Sequence, residues 1–245
     1  MRLDKYLCEA GLGTRSQVKK LLKSGVVTIN GRTARKPEEK IEKSDTVAVS
    51  GKELSVSEQE YWMLHKPSGY VSATEDKHFP TVIELLPEEA RRDLFPVGRL
   101  DRDTEGLLLL TNDGKLAHYL LSPKRHVDKV YYAKVRGKVA EEQVEAFREG
   151  VDIGDEKKTL PAVLEVLKCV PAGDAFESEV RVTLREGRYH QIKRMFAALA
   201  CEVVYLKRLS MGSLKLDESL APGDCRLLTE KETEALKEET GCLSM

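Results

Sequence analysis

The densest set of reactive side chains in this 245-residue sequence is Gly98-Arg99-Leu100-Asp101-Arg102-Asp103-Thr104-Glu105-Gly106. Two arginines and three acids lie between two glycines, and the segment runs straight into the apolar stretch Leu107–Leu110. A charged loop at the mouth of a core strand is where a fold can hold a reactive carboxylate in place. The same residues could equally form a surface turn closed by its own salt bridges, or a metal loop. The acids lack the spacing of a calcium loop, and the chain has no His-Glu-x-x-His zinc pattern. Its five cysteines, Cys8, Cys169, Cys201, Cys225 and Cys242, are scattered and contain no Cys-x-x-Cys pair. Neither a disulfide framework nor a zinc site is expected from them.

A second polar cluster is Glu186-Gly187-Arg188-Tyr189-His190-Gln191, followed by Ile192-Lys193-Arg194-Met195-Phe196. Ile192, Met195, Phe196 and Leu199 make a helical apolar stripe. Lys193 flanks that stripe and can reach a cleft, whereas Arg194 points away, toward phosphate or open surface.

The elements that must position these groups follow from periodicity. Leu107–Leu110 is continuous and apolar, which suits a strand buried on both faces. Asn112-Asp113-Gly114 then turns the chain into a helix carrying Leu116, Leu120 and Leu121. Tyr61 to Leu64 reads as a strand entering the turn Lys66-Pro67-Ser68-Gly69. Tyr131, Ala133 and Val135 alternate with Val130, Tyr132 and Lys134 in another strand, and Val180, Val182 and Leu184 alternate with Glu179, Arg181 and Thr183 in a further one. Thr229-x-x-Glu232 is a capping box opening a terminal helix. Strands and helices mix without a βαβ rhythm, which predicts an α+β domain with a mixed, largely antiparallel sheet and flanking helices.

The first fifty residues differ in character. Leu3, Tyr6, Leu7 and Ala10 share a helical face, which Gly11 and Gly13 interrupt. Thr14 stands three residues before Gln17, another capping box. Val18, Leu21 and Leu22 form the stripe of a second helix, ended at Gly25. Val26 to Ile29 reads as a strand, and Asn30-Gly31 as a hairpin turn. The polar stretch 50–60 reads as a linker, which predicts domains at 1–56 and 57–245.

Net charge is −1, but residues 1–43 hold eleven basic and five acidic side chains, a net of +6 on a body of −7. A basic head on an acidic body fits a polyanion partner for the head, and equally an ordinary mixed-charge surface. Arg15, Lys19, Lys20, Lys23 and Arg32 are its candidate contacts. Hydrophobic residues make up 41% of the chain, enough for real cores, but no run approaches the ~20 apolar residues of a membrane span. No signal-peptide core follows Met1. A cytoplasmic protein without a membrane partner is expected.

Two family resemblances emerge from these residues. Arg2–Leu7, Thr14-Arg15-Ser16 and Gly25–Gly31 resemble the S4 RNA-binding domain, which implies binding of structured RNA through shape and phosphate contacts. Gly98-Arg99-Leu100-Asp101-x-x-Thr104-x-Gly106-Leu107 resembles the signature of the pseudouridine synthases that include the RsuA and RluA groups. Lys129-Val130-Tyr131 and Glu186–Met195 resemble the second and third motifs of that family, in the same order. Lys66-Pro67-x-Gly69 also fits, although His65 stands where Asn is expected.

The resemblance implies a pseudouridine synthase fold and an isomerase with no metal and no nucleotide or redox cofactor. It gives the carboxylate role to Asp101. Lys193 would keep Asp101 ionised, Tyr131 would stack on the uracil, and Arg99 would enter the RNA stack while the base is out. Arg188 and Arg194 would contact RNA, and His190 and Gln191 would support their loop. Asp103 and Glu105 fall between the fixed positions and would be structural. The third motif is most similar to the RsuA type. That implies 16S ribosomal RNA, in an assembly intermediate, with an activity of the uridine-516 type on a monomeric enzyme. The alternatives are a synthase of the same group acting on 23S RNA, a non-catalytic S4-type assembly factor, and a nucleoside hydrolase.

Overall fold

The structure is a computed structural model that describes every residue except 11, 43, 55–58, 123–124, 174 and 242–245, together with the side chain of residue 9. It divides into two compact units, Met1–Gln59 with Arg91–Asp93, and Glu60–Ala90 with Leu94–Met245. The expected boundary at 56/57 lies outside the described residues.

In the first unit, α1 (Leu3–Glu9) and α2 (Arg15–Lys23) precede β1 (Val27–Ile29), β2 (Arg32–Thr33), β3 (Val47–Val49) and β4 (Lys52–Leu54). Thr14 and Gln17 cap α2 reciprocally, satisfying N–H groups that a helix start leaves without partners. Leu3, Leu7, Val18, Leu22, Val27 and Val47 bury fully together. The strands pair antiparallel in the order β2-β1-β3-β4. Asn30 and Gly31 both adopt positive φ, at 50° and 79°, the conformation of a tight two-residue hairpin. Ser50 and Gly51 do the same, which corrects the linker reading over 50–54. Ser50-Gly51 is a hairpin turn joining β3 to β4. Serine and glutamate content concealed a strand whose partner supplies most of its support.

The second unit holds β5 (Tyr61–Lys66), a 3-10 turn (Val82–Leu85), β6 (Phe95–Pro96), β7 (Glu105–Thr111), α3 (Gly114–Leu121) and β8 (Lys129–Arg136). There follow α4 (Glu141–Glu149), β9 (Val163–Ala172), β10 (Ala175–Leu184), α5 (Gln191–Ala198), β11 (Glu202–Met211), β12 (Leu214–Lys215), β13 (Cys225–Leu227) and α6 (Glu230–Thr240). The main sheet runs β13-β5-β7-β11-β8-β10-β9, with β12 on β11 and β6 on β7. Among the described strands, β7 with β11 is the one parallel pair. The fold is therefore the expected α+β arrangement with a mixed, largely antiparallel sheet.

The run Leu107–Leu110 is apolar throughout because β7 feeds two cores. Leu108 and Leu110 join Trp62, Leu64 and Phe196 on one face. Leu107 and Leu109 join Met63, Leu116 and Leu236 on the other. Strand β8 buries Tyr131, Ala133 and Val135 on the first face only, so its sequence alternates. Helix α5 covers that face with Ile192, Met195 and Phe196. Leu121, expected in the stripe of α3, is exposed. Among the described residues, no helix is long and apolar enough to cross a membrane.

Candidate active site

Asp101 sits at the start of a tight turn closed by the Thr104 N–H donating to the Asp101 carbonyl at 3.0 Å. Three devices hold that turn. Ser72 Oγ donates to the Leu100 carbonyl at 3.0 Å and accepts from the Leu100 N–H at 3.1 Å. The Gly69 N–H donates to the Arg102 carbonyl at 2.8 Å. Lys66, fully buried, donates through Nζ to the carbonyls of Thr104, Pro67 and Arg102 at 2.8, 3.0 and 3.1 Å. Burial lowers the Lys66 ammonium to about 8, against the pull of Asp103, Glu105 and Asp101. The Lys-Pro-x-Gly motif thus acts as a peg beneath the turn, a role its residue types alone did not reveal. His65 has no part in the turn: its Nδ1 pairs with the Leu220 carbonyl at 2.7 Å.

Gly106 closes the motif for a steric reason. It has φ +102°, and a Cβ there would stand 2.2 Å from the carbonyl oxygen of Arg208 on β11. Only glycine permits the parallel approach of β7 and β11 at this point.

Asp101 faces a cleft lined by Arg99, Tyr131, Glu186, His190, Ile192 and Lys193, among others. Strand β8 brings Tyr131, and the start of α5 brings Lys193. The Lys193 Nζ lies 3.2 Å from Asp101 Oδ2 and 2.6 Å from Asp103 Oδ1. Burial works against the charge on Lys193, but the hydrogen bond to Asp103 and the two carboxylate charges outweigh it and raise its affinity for the proton. Asp103 is likewise pushed up by burial, yet its hydrogen bond to Lys193 leaves it below the usual carboxylate range. One cation therefore serves two acids. Asp103, expected to be structural, takes the shorter contact and tethers the cation. Glu105 does serve structure, accepting from the Tyr205 hydroxyl at 2.8 Å.

The other expected contacts divide into two groups. Arg99 is exposed at the cleft rim and forms no ion pair among the described residues. In the first unit Arg15, Lys19, Lys20 and Lys23 are all exposed along α2, while Arg32 is tied to Glu39. Arg188 and Arg194, expected to contact RNA, also make bonds within the protein. Arg188 donates to the carbonyls of Lys157 and Lys158 at 2.7 and 2.8 Å and pairs with Glu186 and Asp155. Arg194 donates to the Ile153 carbonyl at 2.5 Å and to Asp155 at 2.6 Å. Their donors fix the loop 186–191 against the loop 153–158.

His190, expected to support its loop, also stands with Nε2 3.6 Å from Asp101 Oδ1. Its backbone is left-handed, at φ 48° and ψ 36°. Histidine enrichment in that region was the available signal, and it does not specify direction. The described residues contain no cluster of three or more His, Cys, Asp or Glu suited to a metal, and Cys8, Cys169, Cys201 and Cys225 are free thiols. Cys242 lies outside the described residues.

Asp101, the Tyr131 ring and the Lys193 ammonium thus meet at one cleft. Residues 60–198 match the RNA pseudouridylate synthase family, and residues 1–47 match the S4 domain. This chain belongs to the RNA pseudouridylate synthase family and carries an S4 domain at its N-terminal side; it is an isomerase. It is 47% identical over 240 residues to an uncharacterised RNA pseudouridine synthase, YtzG, of Bacillus subtilis, covering 97% of this chain and 99% of that one. It is 41% identical over 234 residues to ribosomal small subunit pseudouridine synthase A of Escherichia coli, covering 95% and 98% respectively. A solved pseudouridylate synthase matches 96% of this chain and 99% of its own, at 39% identity and a TM-score of 0.69.

Proposed function

We propose that this enzyme isomerises one uridine of small-subunit 16S ribosomal RNA to pseudouridine, with Asp101 as its catalytic carboxylate. The observation that carries the chemical part is the placement of Asp101 in one cleft with Tyr131 and with the Lys193 ammonium at 3.2 Å. The reaction breaks the ribose C1′–N1 bond, rotates the uracil and forms the C1′–C5 bond. The C5 proton is lost and N1 gains one, so nothing is added or removed overall, and no redox or nucleotide cofactor is required. Asp101 acts either as a nucleophile toward sugar or base, or as a base toward C2′. Both roles need the ionised form, and the Lys193 ammonium lies beside it. Tyr131, nearly buried in the cleft wall, offers a ring against the uracil. Arg99, exposed at the rim, occupies the RNA stack in this reading while the base is flipped out.

The RNA assignment rests on the relatives. Proteins of Escherichia coli and Vibrio vulnificus named ribosomal small subunit pseudouridine synthase A are 41% and 42% identical to this chain over nearly its whole length. The proposed target is a single site of the uridine-516 type in an assembly intermediate, modified by a monomer. The exposed basic face of α2 supplies affinity for RNA phosphates. A purely RNA-binding assembly factor would have no use for the pegged Asp101 turn.

The test is pseudouridine mapping across 16S and 23S RNA from cells lacking the protein, restored with wild type or with Asp101→Asn. Loss of one 16S site, regained only with wild type, is the expected outcome. A lost site in 23S RNA would move the target, and no lost site would remove the assignment to ribosomal RNA.

A further inference from the structure

The loop that delivers His190 to Asp101 also carries Tyr189, whose side chain nothing in the chemistry above employs. Among the exposed large hydrophobic side chains Tyr189 has the greatest exposure, at 75%. Single exposed apolar residues are common and need no explanation by themselves. Three features set this one apart. Its ring lies flat on the His190 ring, with centroids 3.8 Å apart and planes inclined by 17°. His190 lines the cleft that contains Asp101. The loop is held on both sides of the pair. Gln191 Oε1 accepts from the Arg188 N–H at 2.9 Å, Arg188 is clamped to the carbonyls of Lys157 and Lys158, and Arg194 reaches the Tyr189 carbonyl at 3.3 Å.

The two rings therefore form a short, preorganised stack that begins in the cleft wall and ends on an open face of Tyr189. We propose that this open face is a docking platform for a nucleobase of the substrate RNA, the one flanking the flipped uridine. The proposal rests on the ribosomal RNA reading above and adds a residue to its recognition. When a base leaves the stack its neighbours lose a partner, and an aromatic ring held at the correct height replaces it. Any base has a π-face, so the platform supplies affinity and register more than sequence preference. Because the loop is already fixed, docking does not have to order it. The alternative is that Tyr189 only props the left-handed conformation of His190, and the two predict different kinetics.

The experiment uses the full-length enzyme with an RNA fragment that wild type isomerises, prepared intact and with a single abasic site on either side of the target. Wild type, Tyr189→Phe and Tyr189→Ala are compared in binding and in single-turnover rate against RNA concentration and pH. Tyr189→Ala is expected to weaken binding of intact RNA by roughly tenfold or more, with the larger share of the kinetic loss in KM. Tyr189→Phe should restore it. One of the two abasic RNAs should bind wild type as weakly as intact RNA binds Tyr189→Ala, and the variant should lose nothing further on that RNA. Equal affinity of Tyr189→Ala and wild type for intact RNA overturns the platform. So does a loss confined to the rate at saturating RNA with an altered pH profile, which marks a prop for His190. A loss that simply adds to both abasic defects also overturns it. If wild type isomerises no ribosomal RNA fragment at all, the substrate reading fails, and the platform proposal fails with it.

Discussion

The Nζ of Lys193 stands 3.2 Å from Oδ2 of Asp101, and Asp103 holds the same ammonium more tightly at 2.6 Å. The cation is therefore anchored by a side chain that need not take part in chemistry. Asp103 is largely exposed and acts as an outer tether of the ammonium that also faces Asp101.

Removing the charge tests that arrangement. Lys193→Met keeps most of the packing of the stem and deletes the cation. The single-turnover rate should fall. Lys193→Arg should retain part of the activity with altered geometry. Arg194→Met should loosen the loop through Ile153 and Asp155 and raise KM, with the rate at saturating RNA near wild type. A wild-type rate in Lys193→Met would remove the cation from the chemistry.

Asp101→Asn preserves shape and the backbone bond of the turn while removing the carboxylate. Isomerisation should become undetectable, with thermal unfolding within a few degrees of wild type and RNA binding retained. Measurable turnover by this variant would exclude Asp101 as the essential group.

Lys66 gives a pH-dependent stability with a definite sign. Its folded value of about 8 lies below its ordinary 10.5. Between those values the unfolded chain binds a proton that the folded protein does not, so stability rises with pH through the window 8 to 10.5. Below the window the cost of burying the charge is fully present. The gain is on the order of 3 kcal/mol. Denaturant unfolding of wild type and Lys66→Met at intervals from pH 7 to about 10 should show the wild-type curve gaining on the variant. Parallel curves would mean the lysine is not depressed.

Gly106→Ala should cost on the order of 3 kcal/mol, combining left-handed backbone strain with a clash against the Arg208 carbonyl. Differential scanning calorimetry measures the loss. Because the Asp101 turn leads directly into β7, activity should fall further than the unfolded fraction accounts for.

The basic face of α2 predicts a salt effect. Replacing Lys19, Lys20 and Lys23 together by Gln removes three exposed charges. Affinity for ribosomal RNA should drop, and the slope of log affinity against log salt should shrink by about two to three. An unchanged slope would place the phosphate contacts elsewhere.

The elements of this protein were legible wherever the signal is local. Capping boxes at Thr14 and Thr229, the Asn30-Gly31 turn, the Leu107–Leu110 strand and the α5 stripe all depend on residues a few positions apart, and all formed as the spacing implies. The loop containing Asp101 was also legible, since charge density beside an apolar run is itself local. Strand β4 was not, because a short polar strand is defined by its partner across a hairpin.

The partners of the site residues were decided by tertiary structure. Arg188 and Arg194 read as RNA contacts in a basic motif, and the loop 153–158 also presents carbonyls and Asp155 to them. Lys66 reads as an ordinary lysine in a turn until the packing of β5 against β7 places its ammonium under the carbonyls of Arg102 and Thr104. His190 is 89 residues from Asp101 in sequence and meets it from a left-handed position just before α5. Composition and spacing determined which residue types were available and which elements would carry them. Which donor meets which acceptor depends on distances between segments far apart in the chain, and only the closed sheet with its covering helix sets those distances.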